Sequence, residues 1–334
     1  MTGTNKLRWG ILGVAKINER LIPGFRNSTL AELYAIASRD AERAREAATR
    51  WAIPTAHGSY EALLADPNVD AVYVPLPNHL HAEWTRKAAD AGKHVLTEKP
   101  LTPDATTAHA LVAYCRNKGV KLMDGFMWPH HPRTALIRQR IDRGDLGRVT
   151  GVRGAFTFML GLDPANVRLK PEAGGGSLLD VGCYPVYGIR WAFGEEPVRA
   201  YAAARKGHGV YLEMSGLVCL SDGRAGSFDC GFTTPYRQWL EITGTEGVIR
   251  VPKMWIPEPE ASFTFERDRG EPEVVTVPGH DQIALMLDDF SRAVLEGTAG
   301  RPEPEQAVRT LRVLDALARS AQDGWRTVEV AGSG

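Results

Sequence analysis

Hydrophobic positions in the first third of the chain form short runs separated by stretches with helical spacing. Apolar runs recur at Leu7–Leu12, Leu33–Ala37, Val69–Val74, His94–Leu96 and Lys121–Met123. Between them, Ala41–Trp51 and Ala82–Ala91 keep their charges on one face, and Asp104–Lys118 follows a proline, as helices tend to do. Such alternation predicts a parallel sheet with right-handed helical crossovers. The texture changes near Gly125. A helical pattern at Thr134–Arg143 leads into β-rich segments at Val149–Met159, Val198–Lys206, Leu212–Leu220, Gly226–Phe232 and Leu240–Val251. Strands in succession predict an antiparallel sheet. Helical patterns at Gln282–Glu296 and Pro304–Gln322 and a last strand at Arg326–Val330 complete the chain.

At 334 residues the chain exceeds what one core usually serves, so two domains are expected, residues 1–125 and 126–334. Forty basic residues balance forty acidic ones without a long block of like charge, which argues against a nucleic-acid groove or an anionic membrane surface and for a small-molecule partner. No apolar run reaches membrane-spanning length. Cys115, Cys183, Cys219 and Cys230 form no CxxC pair and have no metal-ligand spacing; they read as reduced packing residues, and no metal is expected. Polar residues lead into the first strand without a basic region and apolar stretch, so the expected location is cytoplasmic.

Several motifs carry chemistry. Lys99 follows the strand His94–Leu96 within Glu98-Lys99-Pro100, so one ammonium is delivered to the rim of the parallel sheet, where α/β proteins bind ligands. After the first strand, Gly13-Val14-Ala15-Lys16-Ile17-Asn18 occupies the place of a GxGxxG dinucleotide turn, with Ala15 and Asn18 replacing its second and third glycines. Ser38-Arg39 falls 25 residues after Gly13, near where an acidic residue would hold a ribose 2′-hydroxyl. A hydroxyl and a guanidinium suit a 2′-phosphate instead, which favours NADP over NAD; the alternative leaves Arg39 solvated and Asp40 capping the next helix. Pro75-Leu76-Pro77-Asn78-His79-Leu80-His81 is too rich in turn formers to continue a strand, so it bends over the sheet edge. There Asn78 would reach the nicotinamide end, while His81 reads as a hydrogen-bonding residue of the turn. In the second half, Gly174-Gly175-Gly176 opens a stretch in which Asp180 and Tyr184 are four apart, on one face of a helix whose first turn holds Pro185. Tyr184 either faces a ligand or is a core aromatic whose hydroxyl is satisfied by Asp180.

On Ala91-Gly92-Lys93-His94-Val95-Leu96-Thr97-Glu98-Lys99-Pro100-Leu101, Pro77-Asn78 with His81, Gly174-Gly175-Gly176 through Tyr184-Pro185, and Ile242-Thr243-Gly244-Thr245-Glu246-Gly247, the chain resembles the Gfo/Idh/MocA family of pyridine-nucleotide oxidoreductases. The resemblance covers nearly the whole chain. It implies an α/β fold with an N-terminal Rossmann dinucleotide-binding domain and a C-terminal α/β domain whose large, mostly antiparallel open sheet often makes subunit contacts. It also implies a sugar or cyclic polyol held between the domains, a homodimer or homotetramer, and a Lys99-Pro100 bond that is often cis. Tyr184 matches a branch that carries tyrosine where inositol dehydrogenases carry histidine. One departure is Asp124-Gly125-Phe126-Met127-Trp128-Pro129-His130-His131-Pro132, where many relatives have an arginine after the tryptophan.

Hydride transfer at an alcohol carbon needs a base beside the hydroxyl oxygen. Tyr184 is the expected base, its phenol ionised more easily next to the ammonium of Lys99; in reduction Lys99 would polarise the carbonyl. Which of the two handles the proton stays open. Asp180 would orient the pair or bind a second hydroxyl. Expected cofactor contacts are Gly13, Ala15, Lys16, Ile17, Ser38, Arg39, Pro75, Leu76, Asn78, His81, Glu98 and Lys99. Substrate contacts are sought among Trp128, His131, Arg168 and Tyr236. Two other readings compete with an NADP-dependent sugar or cyclic-diol oxidoreductase: an NAD-dependent glycosidase that oxidises its substrate transiently, and a non-catalytic nucleotide sensor.

Overall fold

The computed structural model describes residues 6–332. In chain order the first elements are β1 (Leu7–Leu12), α1 (Asn18–Asn27), β2 (Ala31–Ala37), α2 (Ala41–Trp51), β3 (Thr55–His57), α3 (Tyr60–Leu64), β4 (Ala71–Val74), α4 (His81–Asp90), β5 (His94–Thr97), α5 (Ala105–Asn117) and β6 (Leu122–Asp124). There follow α6 (Pro132–Asp142), β7 (Val149–Met159), α7 (Cys183–Phe193), β8 (Arg199–Gly207), β9 (Val210–Cys219), β10 (Ala225–Gly231), β11 (Thr233–Gly244), β12 (Gly247–Pro252), β13 (Glu260–Arg267), β14 (Glu273–Pro278), α8 (Gln282–Leu295), α9 (Glu305–Gln322) and β15 (Val328–Glu329). The chain divides into two compact units. One holds the described residues up to Thr102 with Thr106–His130 and Asp281–Ala307; the other holds Pro103–Ala105, His131–His280 and the chain from Val308 on.

The first unit is built on a six-stranded parallel sheet in the order β3-β2-β1-β4-β5-β6. Strand β4 is buried throughout and β1 nearly so, as unbroken apolar runs require of strands covered on both faces. Strand β3 is absent from the hydrophobic reading because Thr55-Ala56-His57 is a half-buried edge strand with no apolar run. The single boundary expected at residues 125/126 also leaves out the return of Asp281–Ala307 to this unit. That return is fixed by burial and by one carboxylate. Ile283, Met286, Leu287 and Phe290 of α8 join the core around Trp9, Phe25 and Ile36, and Trp9 Nε1 donates to Ser291 Oγ at 3.2 Å. Asp288 accepts from Ser28 Oγ, from the Thr29 amide at 3.0 Å and from the Leu30 amide at 2.9 Å.

The second unit carries a nine-stranded sheet, β14-β13-β12-β11-β7-β10-β9-β8-β15. All neighbours are antiparallel except β7 and β10, which run parallel, so the sheet is mixed. Alternation of buried and more exposed positions along β9 and β12 marks one covered face. On that face α7 lies close: a Cβ at Gly154 of β7 would stand 3.2 Å from Pro185 Cβ. The β-rich segment Leu240–Val251 is the hairpin of β11 and β12 turning at Thr245-Glu246. Strands β13 and β14 are further additions; the alternation of Ala261, Phe263 and Phe265, all buried, is the signal that identifies β13. Among the described residues no helix is long and apolar enough to cross a membrane.

Candidate active site

In the first sheet the sense in which successive strands are added reverses between the parallel neighbours β1 and β4, and ligands of such sheets bind at the carboxyl ends of the strands flanking that point. The Gly13–Asn18 loop leaves β1 there. Gly13 has φ +132, open only to glycine, and a Cβ on it would come 3.2 Å from the Leu76 side chain. Asn18 closes the loop: buried at the start of α1, it donates Nδ2 to the Gly13 carbonyl at 2.9 Å. Its Oδ1 is buried and has no hydrogen-bond partner among the described residues. Ala15 and Ile17 are half-buried and Lys16 is exposed. A glycine-hinged loop feeding a helix N-terminus at this edge fits a dinucleotide pyrophosphate, because the amides of a first helical turn point toward negative charge.

At the end of β2, Ser38 is buried and Arg39 exposed. Asp40 caps α2, accepting from the Glu42 and Arg43 amides, as one of the two sequence readings holds. Arg43, one turn beyond Arg39, was not singled out by the motifs; its Nη2 donates to the Val14 carbonyl at 2.7 Å. The i, i+4 relation to Arg39 at a helix start is the signal that finds it. Tyr60 is a second addition. Burial raises its phenol pKa above the ordinary range, while the neighbouring Arg39 and Arg43 guanidinia lower it. Two guanidinia thus flank the outer end of the loop.

Past β4, buried Pro75 and half-buried Leu76 lead to a 3-10 turn, Asn78–Leu80, that runs into α4. His81, the first residue of α4, is fully buried, with Nδ1 2.9 Å from the Pro100 carbonyl and Nε2 2.7 Å from the Leu76 carbonyl. Both ring nitrogens therefore face main chain. Glu98 accepts a hydrogen bond from the Tyr73 hydroxyl. Burial raises the Glu98 pKa, opposed by Lys99 and by that hydroxyl. Lys99 is half-buried, and its bond to Pro100 is cis.

In the second unit Tyr184 is buried in the first turn of α7. A π-helical turn, Leu178–Gly182, precedes it. The physical cause is Pro185, which has no N–H for the Val181 carbonyl and whose ring crowds that carbonyl in an α turn, so the backbone widens. Asp180 lies within the π turn, and its carboxylate is held by Arg168 Nε at 2.7 Å. Phe156 meets the Tyr184 ring edge-on with centroids 5.1 Å apart, and Trp255 stands at 5.9 Å. Tyr236, 56% exposed, touches the far side of Phe156 at 6.2 Å. His131 instead caps α6, its Nδ1 accepting from the Arg133 amide at 3.1 Å, and burial lowers its pKa to about 4. Trp128, in the first unit, is wholly buried. Among the described residues no cluster of His, Cys, Asp or Glu has the makings of a metal site.

A parallel sheet in this order, with a glycine-hinged loop at its reversal point and a second unit on a large mixed sheet, defines a two-unit dinucleotide-binding oxidoreductase. The chain belongs to the GFO/IDH/MocA oxidoreductase family: residues 7–126 match its NAD-binding Rossmann fold and residues 134–250 its C-terminal domain. It is 38% identical over 322 residues to a D-xylose 1-dehydrogenase (NADP(+)) of Haloferax volcanii, covering 95% of this chain and 98% of that one. Among solved structures it is similar to a 3-ketoreductase from Actinomadura kijaniata in complex with NADP and TDP-benzene (33% identity, TM-score 0.87, 94% and 98% of the two chains). It is also similar to an aldose-aldose oxidoreductase from Caulobacter crescentus complexed with glycerol (27% identity, TM-score 0.90, 97% and 100%).

Proposed function

We propose that this protein is an NADP-dependent oxidoreductase that transfers a hydride between the nicotinamide and a hydroxyl-bearing or carbonyl carbon of a sugar or cyclic polyol. The observation that carries the reading is the pair of guanidinia, Arg39 and Arg43, at the outer end of a glycine-hinged loop, with Lys99 at the end of β5 in the same unit. Relatives named as NADP-dependent sugar dehydrogenases and reductases support it. The bound nicotinamide supplies the hydride acceptor or donor; the protein's own groups do the rest. Arg39, Arg43 and Ser38 bind the 2′-phosphate, because a planar donor fork matches its oxygens. Lys99 places positive charge on the substrate oxygen as negative charge develops there. Tyr184 takes the hydroxyl proton in oxidation and returns it in reduction. Asp180, held by Arg168, fixes the turn that aims Tyr184.

We also infer a cytoplasmic homodimer or homotetramer. Its four free cysteines, three of them buried, suit a reducing compartment. Turnover of aldoses, inositols, cyclic diols and ketosugars, followed by reduced-cofactor absorbance with NADP and NAD in parallel, tests the activity. A sugar or cyclic polyol turned over with NADP preferred is the expected result. Glycoside hydrolysis without net cofactor reduction favours the glycosidase reading, and binding without turnover the sensor.

A further inference from the structure

We propose that His81 is a positioning residue for Lys99: its imidazole ties the main chain just after Lys99 to the Pro75–Asn78 turn, so the ammonium and the nicotinamide-side turn hold one fixed relation. This rests on the reading of Lys99 as catalytic. The two segments leave adjacent parallel strands, β4 and β5, whose ladder runs as far as the Glu98 amide donating to the Val74 carbonyl at 3.1 Å, short of Pro100 and of the Pro75–Asn78 turn. His81 spans that gap. Nδ1 lies 2.9 Å from the Pro100 carbonyl and Nε2 2.7 Å from the Leu76 carbonyl, and the side chain is 0% exposed.

Carbonyls only accept. A neutral imidazole carries one N–H, so it satisfies one of these two oxygens and turns a lone pair toward the other; only imidazolium donates to both. Burial, helped by the charge of Lys99, pushes the ring pKa down to about 4, against the main-chain groups of Leu76, Pro100 and Leu101 that favour the proton. Near neutral pH the ring therefore donates to one segment and packs against the other, and its complete enclosure between them keeps the two at one spacing. No water competes at a wholly enclosed ring. An apolar residue of the same size would leave the carbonyl that receives the ring N–H without that donor, which is costly in so enclosed a place.

The test is competitive acylation of the full chain, with and without saturating NADP, reading the labelling rate of Lys99 against half-buried Lys87 by peptide mass analysis in wild type, His81→Leu and His81→Asn. Steady-state kinetics and NADP affinity are measured on the same preparations. In His81→Leu the Lys99 rate should change by about fivefold or more relative to Lys87, and kcat should fall by about tenfold or more with NADP affinity kept within about threefold. His81→Asn, which keeps one donor, should recover part of both, and its folding is checked by thermal melting should the leucine variant fail to fold. An unchanged Lys99 rate in a folded variant overturns the proposal, as does a loss of NADP affinity that accounts for the whole loss of turnover. Lys99→Ala with turnover intact would instead overturn the catalytic reading of Lys99, and the labelling result would still decide whether His81 sets its position.

Discussion

Asp180 and Arg168 form an ion pair with Oδ2 2.7 Å from Nε, joining the π turn ahead of Tyr184 to the 3-10 turn Val167–Leu169. Arg168 is nearly half exposed while the Asp180 side chain is mostly covered. Such a pair contributes about 1 kcal/mol or less to stability, so its value lies in where it holds the π turn. Asp180→Asn and Arg168→Ala are expected to lower the melting temperature by only about 2 °C, and kcat/KM by about tenfold or more. Melting curves and steady-state kinetics on the best substrate of the panel check this; equal, proportionate losses in both would reduce the pair to ordinary surface pairing.

Lys99→Ala and Tyr184→Phe should each remove about 100-fold or more of kcat while the folded fraction stays near that of wild type. Tyr184→Phe keeps the ring that packs on Phe156 and Trp255 and deletes only the hydroxyl, so the loss reports proton handling rather than packing. Single-turnover absorbance of the reduced cofactor separates this chemical step from product release.

Cofactor preference is expected to follow the guanidinia at the outer end of the loop. Arg39→Ala removes charge-assisted hydrogen bonds to a 2′-phosphate and should lower the NADP-to-NAD ratio of kcat/KM by about tenfold or more. Arg43→Ala should cost less on that ratio but more on NAD itself, because Arg43 also holds the Val14 carbonyl of the loop. A ratio unchanged in both variants would sink the phosphate assignment.

The alternating architecture of the first unit is legible from apolar runs because its strands are covered on both faces and keep few polar residues. What escapes is β3, too short and too exposed to leave a run, and the return of α8, whose place is set by Asp288 and Phe290 meeting residues some 260 positions earlier. Periodicity says that α8 is amphipathic; it does not say which core receives it. Lys99, Tyr184 and Arg39 stand out because each breaks a local pattern at an element end. Tyr60 and the roles of His81 and Asp180 depend on contacts between separate segments, so spacing alone assigns them only loosely. His131 and Trp128 also show what a motif leaves unsaid: neither the cap that His131 places on α6 nor the full burial of Trp128 is visible in their spacing.

Asp288 makes the first unit acid-sensitive. Burial raises its pKa, but hydrogen bonds from Ser28, Thr29 and Leu30 outweigh this and leave the folded-state value below the ordinary one. A carboxylate lowered on folding contributes stability above its unfolded pKa of about 3.9, and that stability is lost as pH falls through the lower folded value. Asp288→Asn should destabilise by about 2 kcal/mol at neutral pH, and its melting temperature should fall less steeply on acidification than that of wild type. Parallel pH–melting curves for the two proteins would show that Asp288 carries none of the acid sensitivity.

Arg133 offers the sharpest test of how packing reaches Tyr184. Its buried guanidinium donates to four carbonyls, those of Pro252 at 3.2 Å, Lys253 at 3.0 Å, Met254 at 3.0 Å and Ser262 at 3.1 Å. Burial lowers its pKa to about 10, which still leaves it charged at neutral pH. The segment it grips continues into Trp255, whose amide is held by Gln238 Oε1 at 3.1 Å and whose indole N–H donates to the Ala155 carbonyl at 2.9 Å. That indole then packs on the Tyr184 ring. Arg133→Lys keeps the charge but has a single nitrogen in place of the fork, so several buried carbonyls lose their donors. A destabilisation of about 3 kcal/mol is expected from this loss. Trp255→Phe keeps an aromatic surface against Tyr184 and removes the bond to Ala155, and should cost about 1 to 2 kcal/mol while lowering kcat more than it raises KM. Denaturant titration gives the first quantity and steady-state kinetics the second. A Trp255→Phe enzyme with wild-type kcat would separate the aromatic enclosure of Tyr184 from its chemistry.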